Sequence, residues 1–186
     1  TDTLIAKYED SGADGGYNVY MESDGDITFA VDDDNTFGPD DSATSTAGTY
    51  DDNVWHHFAA VKTGTTKIDL YIDGNLVATD DTISATGTLA NNDDLYIGMD
   101  GDGSSNPFDG ALDEIKIYPY ARGSDEIKTD FVGSSTVFEE KFGFISNGLV
   151  GYWDLDEESG NASDSSGNDN TLTNNNSASY TDGMFG

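Results

Sequence analysis

The residues with the clearest chemical potential in this 186-residue chain are carboxylates and side-chain amides. Asp164, Ser166, Asn168 and Asn170 place oxygen atoms at alternate positions of one short polar loop, the hard-ligand supply that Ca²⁺ prefers. The glycine and closing glutamate of an EF-hand are missing, so a calcium site here would be of another kind. Asp113 falls in phase with Ala111, Ile115 and Ile117, which puts a carboxylate on the apolar face of a strand, where it needs backbone donors or a cation. The same residues suit an Asx-turned loop with a hydrogen-bonded aspartate, and the sequence leaves both readings open. Asp100-Gly101-Asp102-Gly103 is a second acidic loop and reads as a solvated turn.

Catalytic patterns fail one by one. A retaining glycosidase needs two carboxyl groups about 5 Å apart on one face, at alternate strand positions. Asp113 and Glu114 are adjacent, so a strand sends them to opposite faces. His56 and His57 lack both a serine elbow and a third histidine for zinc. His57 shares its parity with Trp55 and Val61 and reads as a hydrogen-bonded structural histidine. No catalytic residue is assigned. Phe37, Tyr50 and Phe108 sit in loops or at strand ends, where rings can meet a ligand, although tyrosine and phenylalanine are ordinary strand formers. Asn161 and Asn175 open Asn-X-Ser sequons in an Asn/Ser-rich tail, where chance alone explains them.

The chain carries 37 acidic against 7 basic residues, a net charge of −30. That field repels phosphate backbones and anionic lipid, which excludes nucleic acid and membrane insertion as sensible partners. It fits a saline habitat, divalent cations, or plain solubility. There is no cysteine for a disulfide or a thiol nucleophile, and no apolar run approaches the roughly 18 residues of a membrane span. The chain opens at Thr1 without a leader pattern, so it is expected to be a mature or excised segment.

Apolar residues recur at period two. Tyr17, Val19 and Met21 alternate, Asp24-Gly25 turns the chain, and Ile27, Phe29 and Val31 return, a strong hairpin signal. Strands are likewise predicted over Trp55–Val61, Lys67–Ile72 and Leu76–Ala78, around Leu95–Met99, and over Ala111–Tyr118. Short, evenly spaced strands with turn signals predict an all-β antiparallel sandwich of jelly-roll type. The single helical turn is expected over 124–131, with Ser124 as cap and Ile127 and Phe131 on one face. Past a connector at 132–147, Leu149, Gly151, Trp153 and Leu155 alternate again.

Trp55-His56-His57-Phe58-Ala59-Ala60-Val61 followed by Leu70-Tyr71-Ile72-Asp73-Gly74 resembles the paired central strands of laminin-G-like, concanavalin A-like jelly-roll domains. Leu95-Tyr96-Ile97-Gly98 and the run Phe108 to Tyr118, with Ala121-Arg122 and Ser124 to Ile127, resemble the end of the same domain. Gly148 to Glu157 and the loop Asp164 to Asn170 are similar to its beginning. The resemblance implies a domain over 1–131 that lacks its first strands. It also implies that residues 148–186 are an opening strand and loop that complete this domain or a neighbouring one, or that the segment is cut from a tandem array of such domains. A loop and strand aspartate of this kind often lie near a structural calcium in that family.

The reading that follows is a non-catalytic extracellular or cell-surface recognition module, expected to bind a glycan or a surface protein and to be stabilised by calcium. The alternative is a structural subunit of a filament or surface layer, completed by strands exchanged between identical neighbouring chains.

Overall fold

The computed structural model describes residues 1–8, 15–34, 38–46, 48–134 and 148–185. Phe37 and most of the 132–147 connector lie outside these ranges. The chain forms β1 (Asp2–Lys7), β2 (Gly16–Met21), β3 (Ile27–Asp32), β4 (Asp41–Thr44), β5 (Phe58–Thr63), β6 (Lys67–Ile72), β7 (Asn75–Asp80), β8 (Tyr96–Ile97) and β9 (Ile115–Ile117). The helix α1 (Ser124–Ser134) and strand β10 (Gly151–Trp153) follow.

Among the described residues, ten strands in antiparallel pairs and one short helix make an all-β sandwich. One layer is a continuous five-stranded sheet in the order β4-β3-β2-β1-β8. The facing layer comes in two pieces, β5-β6-β7 and β10-β9. The core lies where the inward residues of β2 and β3, among them Val19, Phe29 and Val31, meet Ile68, Leu70 and Ile72 of β6, all buried. On the outer face of β5 and β6, Val61 and Tyr71 receive the buried Ile127 of α1.

The turns explain why these strands pair. Asp73 and Gly74 have φ of 50° and 73°, so two left-handed residues join β6 to β7 in the tight turn whose twist suits a hairpin. A side chain at Gly74 would press on Phe131 and Lys128, so the same glycine lets α1 approach. The cap of this helix is Gly123, not Ser124: Gly123 donates its N–H to Glu126 Oε2 (2.8 Å), and its carbonyl accepts from the N–H of Ile127 (3.0 Å).

Two expectations are corrected. Strand β9 begins only at Ile115, because Glu114 takes a left-handed φ of 54° and resets the alternation. Ala111 is therefore exposed, and Asp113 does not share a strand face with Ile115 and Ile117. Likewise β5 starts at Phe58, after an exposed Val54 and Trp55.

Strand β10 pairs antiparallel with β9, with Gly151 opposite Ile117 and Trp153 opposite Ile115. Trp153 is 3% exposed and donates its indole N–H to the Asn170 carbonyl (2.7 Å). Its ring lies over Gly151, where any Cβ would collide with it. Trp153→Ala should lower stability by about 3–5 kcal/mol, seen as a fall in Tm of roughly 6 to 20 °C. An unchanged melting curve would mean that residues 148–185 are not part of the cooperative unit.

Candidate binding site

The break in the second layer opens a cavity of about 830 Å³. Its floor is the inward face of the five-stranded sheet, with Ile5, Tyr17, Val19 and Phe29. Its flanks are two unbroken runs, residues 55–62 on the β5 side and residues 112–122 on the β9 side. Neighbouring side chains of a strand point to opposite faces, so an unbroken run along one wall means that the strand turns its backbone edge to the cavity. Ile127, Asp130 and Phe131 of α1 close it from outside.

Arg122 fixes that closure. Its guanidinium donates to both oxygens of Asp130 (2.8 and 2.6 Å) and to Glu126 Oε1 (3.0 Å), and it lies 4.2 Å from the centre of the Tyr118 ring. Burial, with the nearby Asp130 charge, pushes the Tyr118 hydroxyl up to about 12. Tyr118 Oη, Arg122 Nε and His57 Nδ1 are buried and unpartnered on this wall. The rim carries two exposed rings, Trp55 (39%) and Tyr120 (44%). Tyr120 stacks edge-on with Tyr118 and accepts a hydrogen bond from Arg122 Nη1 (3.0 Å).

The hydrogen-bonded histidine is His56, not His57. His56 Nδ1 lies 2.9 Å from Asp73 Oδ2, and Nε2 lies 3.2 Å from Asp52 Oδ1. His57 gives only its backbone N–H to Asp73 Oδ1 (3.0 Å), while its ring tilts against Phe131. The reason is the late start of β5: Trp55–His57 form a loop in which parity does not set direction. Asp73 thus ties the β6–β7 turn to the entrance of the cavity.

Of the residues proposed as metal ligands, Asp164, Asn168 and Asn170 gather at the outer edge of β10, while Asp113 lies apart against the C-terminal backbone. Asp164 Oδ1 accepts from the N–H groups of Tyr152 (3.1 Å) and Ser166 (2.8 Å), and Oδ2 from Asn170 (2.9 Å). Partial burial opposes its charge, but the Ser166 hydroxyl and these N–H groups outweigh that and hold the carboxyl down at about 2. Asn168 and Asn170 turn their NH₂ groups to the Leu149 and Val150 carbonyls (2.8 and 2.7 Å). Asp113 Oδ2 accepts from the Met184 and Phe185 N–H groups (2.8 and 3.2 Å). Backbone donors therefore use much of this oxygen supply, and the loop caps the outer edge of β10. Beside it, burial raises the Asp156 carboxyl, helped by the charges of Asp154, Asp113, Glu114 and Glu157, and Glu157 Oε2 is buried without a partner. Among the described residues, Asp32, Asp34 and Asp40 are the carboxylates that gather closest, within 4.8 Å.

Tyr50 and Phe108 are half-buried against the core, and Tyr50 meets the His56 ring edge-on at 5.1 Å. Asn161 and Asn175 are exposed. Trp55, Tyr118, Tyr120, Arg122 and Phe131 were not singled out as site residues by sequence. A Tyr-Pro-Tyr-X-Arg run ahead of an acidic helix start was the one available signal.

A two-layer antiparallel sandwich with an aromatic-rimmed cleft is a jelly-roll architecture. The chain belongs to the concanavalin A-like lectin/glucanases superfamily, whose laminin-G-type profile matches residues 1–128. Comparison with curated proteins finds no match. Among solved structures, it is similar to a Bacteroides ovatus protein provisionally assigned as carbohydrate binding, with 21% identity and a TM-score of 0.60 over 94% of this chain. The chain spans 51% of that protein. It is also similar to an S-layer domain-containing protein of Clostridium thermocellum, with 27% identity and a TM-score of 0.39 over 70% of this chain and 62% of that one. No helix among the described residues is long and apolar enough to cross a membrane.

The two histidines respond to pH with opposite signs. Burial opposes charge on His56, but hydrogen bonds to Asp73 and Asp52 outweigh it, so its folded pKa is raised. Its contribution is full below the unfolded value near 6.5 and is lost as pH rises through the higher folded one. Burial lowers the His57 pKa despite Asp130, so its contribution holds above 6.5 and is lost as pH falls. Between pH 5.5 and 8, His56→Gln should remove a part of stability that declines with pH, and His57→Gln a part that grows. Tm-versus-pH curves that keep the wild-type slope in both variants would refute these assignments.

Proposed function

We propose that this chain is a non-catalytic, lectin-like recognition module of a secreted or cell-surface protein, binding glycan at the rim of the cleft. The observation that carries the reading is the pair of exposed, braced rings, Trp55 and Tyr120, in a member of the concanavalin A-like lectin/glucanases superfamily. A sugar ring lays its C–H face on such a ring while its hydroxyls reach nearby polar groups, and a ring with a fixed polar tip loses little freedom on binding. Tyr120 is held by Tyr118 and Arg122, and the loop before Trp55 by the Asp52 carboxylate, which accepts the Val54 N–H (2.9 Å). The provisional assignment of the Bacteroides protein as carbohydrate binding agrees with this choice of ligand class.

A passive role fits the carboxylates on the cleft wall. Asp113 is held by backbone donors, Glu114 by Lys116 and Tyr152 (2.8 and 2.9 Å), and Asp130 by Arg122. On a polysaccharide panel, the protein should bind without releasing reducing ends, and the emission of exposed Trp55 should shift while buried Trp153 stays silent. Tyr120→Ala should weaken binding about tenfold or more at unchanged Tm. Retained affinity in both Tyr120→Ala and Trp55→Ala would remove the rim from the reading.

Calcium belongs to the same proposal as a stabiliser. With the Asp164 and Asp113 carboxylates occupied by N–H donors, the cation's place in this proposal is the group Asp32, Asp34 and Asp40, whose oxygens lie within 4.8 Å of one another. Tm should rise more with calcium chloride than with sodium chloride of equal ionic strength. At 100-fold excess over Kd, the gain is about 2.7 kcal/mol. Coincident curves in the two salts would leave only charge screening.

A further inference from the structure

We propose that His56 is a proton-operated latch: doubly protonated, its ring pins the bend 51–55 to the β6–β7 turn, and the neutral ring releases it. Trp55 is then held in one position at mildly acidic pH and loosened at mildly alkaline pH. The effect on ligand affinity rests on the glycan reading above; the latch itself does not.

The bend has a single bridge to the sheet. Before it, the Tyr50 N–H is bonded to the Gly25 carbonyl (2.9 Å). After it, His57 donates its N–H to Asp73 Oδ1 (3.0 Å), and its carbonyl accepts from the Asp73 N–H (2.8 Å). Between these points, among the described residues, hydrogen bonds of residues 51–55 run only within the bend and to His56. Asp52 Oδ1 accepts from the Val54 N–H (2.9 Å) and lies 3.2 Å from His56 Nε2. His56 Nδ1 lies 2.9 Å from Asp73 Oδ2, which completes the bridge. Asn53 holds a left-handed φ of 64°, a sparsely populated conformation that persists where its surroundings impose it.

The chemistry of the bridge makes it titrate. Ionised carboxylates only accept, and each ring nitrogen faces one, so both nitrogens must donate, which imidazolium alone can do. Burial disfavours the charged ring, but the hydrogen bonds to Asp73 and Asp52 outweigh it and hold its pKa above the ordinary 6.5. The latch is therefore closed below 6.5 and opens as pH rises through the higher folded value. Losing one proton leaves a lone pair against a carboxylate. Nδ1 keeps its N–H, because Asp73 is the closer partner and is fixed by the His57 backbone. Nε2 then repels Asp52, whose side chain is 45% exposed and moves with the bend into water. The other groups around the ring do not replace this bridge. The Tyr50 ring meets it edge-on at 5.1 Å, and burial with the Asp73 and Asp26 charges raises that hydroxyl, so it stays neutral. Asp51 lies beside Gly25, and Lys128 of α1 packs on Gly74 in the turn.

The test reads Trp55 without ligand, by lifetime-corrected acrylamide quenching from pH 5.5 to 8.5, since Trp55 is exposed and Trp153 buried. Quenching should rise with pH, with a midpoint above 6.5 shared by the His56 ring proton in NMR. His56→Gln, which keeps a carbonyl against one carboxylate, should stay highly quenched throughout. Asp52→Asn should stay weakly quenched throughout, because its amide accepts from the charged ring and donates to the neutral one. The proposal is overturned by quenching that ignores pH in the wild type, by a midpoint below 6.5 that follows His57, or by a transition that survives in either variant. Soluble starch, xylan and mixed-linkage β-glucan then test the reading it rests on. A polysaccharide that binds should lose about two- to tenfold in affinity over the same range, the cost of ordering a loosened ring. Unchanged affinity would remove Trp55 from the glycan site, and no binding would remove the glycan reading, while the quenching alone decides the latch.

Discussion

A β-sandwich is held by two requirements that must be met together: apolar faces must cover each other, and backbone groups along each strand must find partners on both sides. The five-stranded sheet meets both. The opposing layer meets the first requirement over β6, where Ile68, Leu70 and Ile72 seal the core, and among the described residues leaves the second open between β5 and β9. Much of what is unusual in this protein lies along that line. The helix crosses it, the basic side chains gather beside it, and the C-terminal residues Met184 and Phe185 line it.

Among the described residues no strand lies between the two half-layers, and holding them together falls to side chains. Arg122 grips α1 from the end of β9, through Asp130 and Glu126, while its face rests on Tyr118. On the other flank, Asp73 grips the loop that leads into β5, through His56 and the His57 backbone. Gly74, next to Asp73, lets Phe131 and Lys128 of the same helix settle on that turn. The helix is thus anchored to both half-layers. Ion pairs of this partly buried, bidentate kind are among the few that contribute beyond the small value of exposed pairs. Removing one partner would leave the other charge enclosed.

The parts of this architecture that were legible in the sequence are those encoded locally. The β2–β3 and β5–β6–β7 hairpins carry alternation and glycine-containing turns within a few residues of each other, and register follows from the turn. Strands β1 and β4 went unnoticed for identifiable reasons. A bulge between Thr3 and Ile5 buries Leu4 alongside its neighbours and breaks the period, and β4 has only Ala43 facing inward. In β9 a single left-handed residue, Glu114, moved Asp113 off its expected face, which no periodicity count detects. The burial of Trp153 was legible from alternation, whereas the cleft was not. Its walls come from segments near residues 5–29, 55–62, 112–131 and 184–185, and only the folded chain brings them together.

Charge distribution gives the break its selectivity. Only seven basic residues stand against 37 acids, yet Lys62, Lys116 and Arg122 all line the cleft. Lys116 and Arg122 are spent on nearby carboxylates, Glu114 in one case and Asp130 and Glu126 in the other, so the wall is close to neutral while the body around it is strongly negative. A neutral, apolar slot inside an acidic body discriminates in two ways. The body repels acidic chains at the range of the Debye length, roughly 8–10 Å at physiological salt. The slot itself rejects charge, because a group brought there would lose its water and find cations that are already paired. Long-range repulsion and short-range desolvation therefore point the same way. Both disfavour an acidic ligand at the cleft.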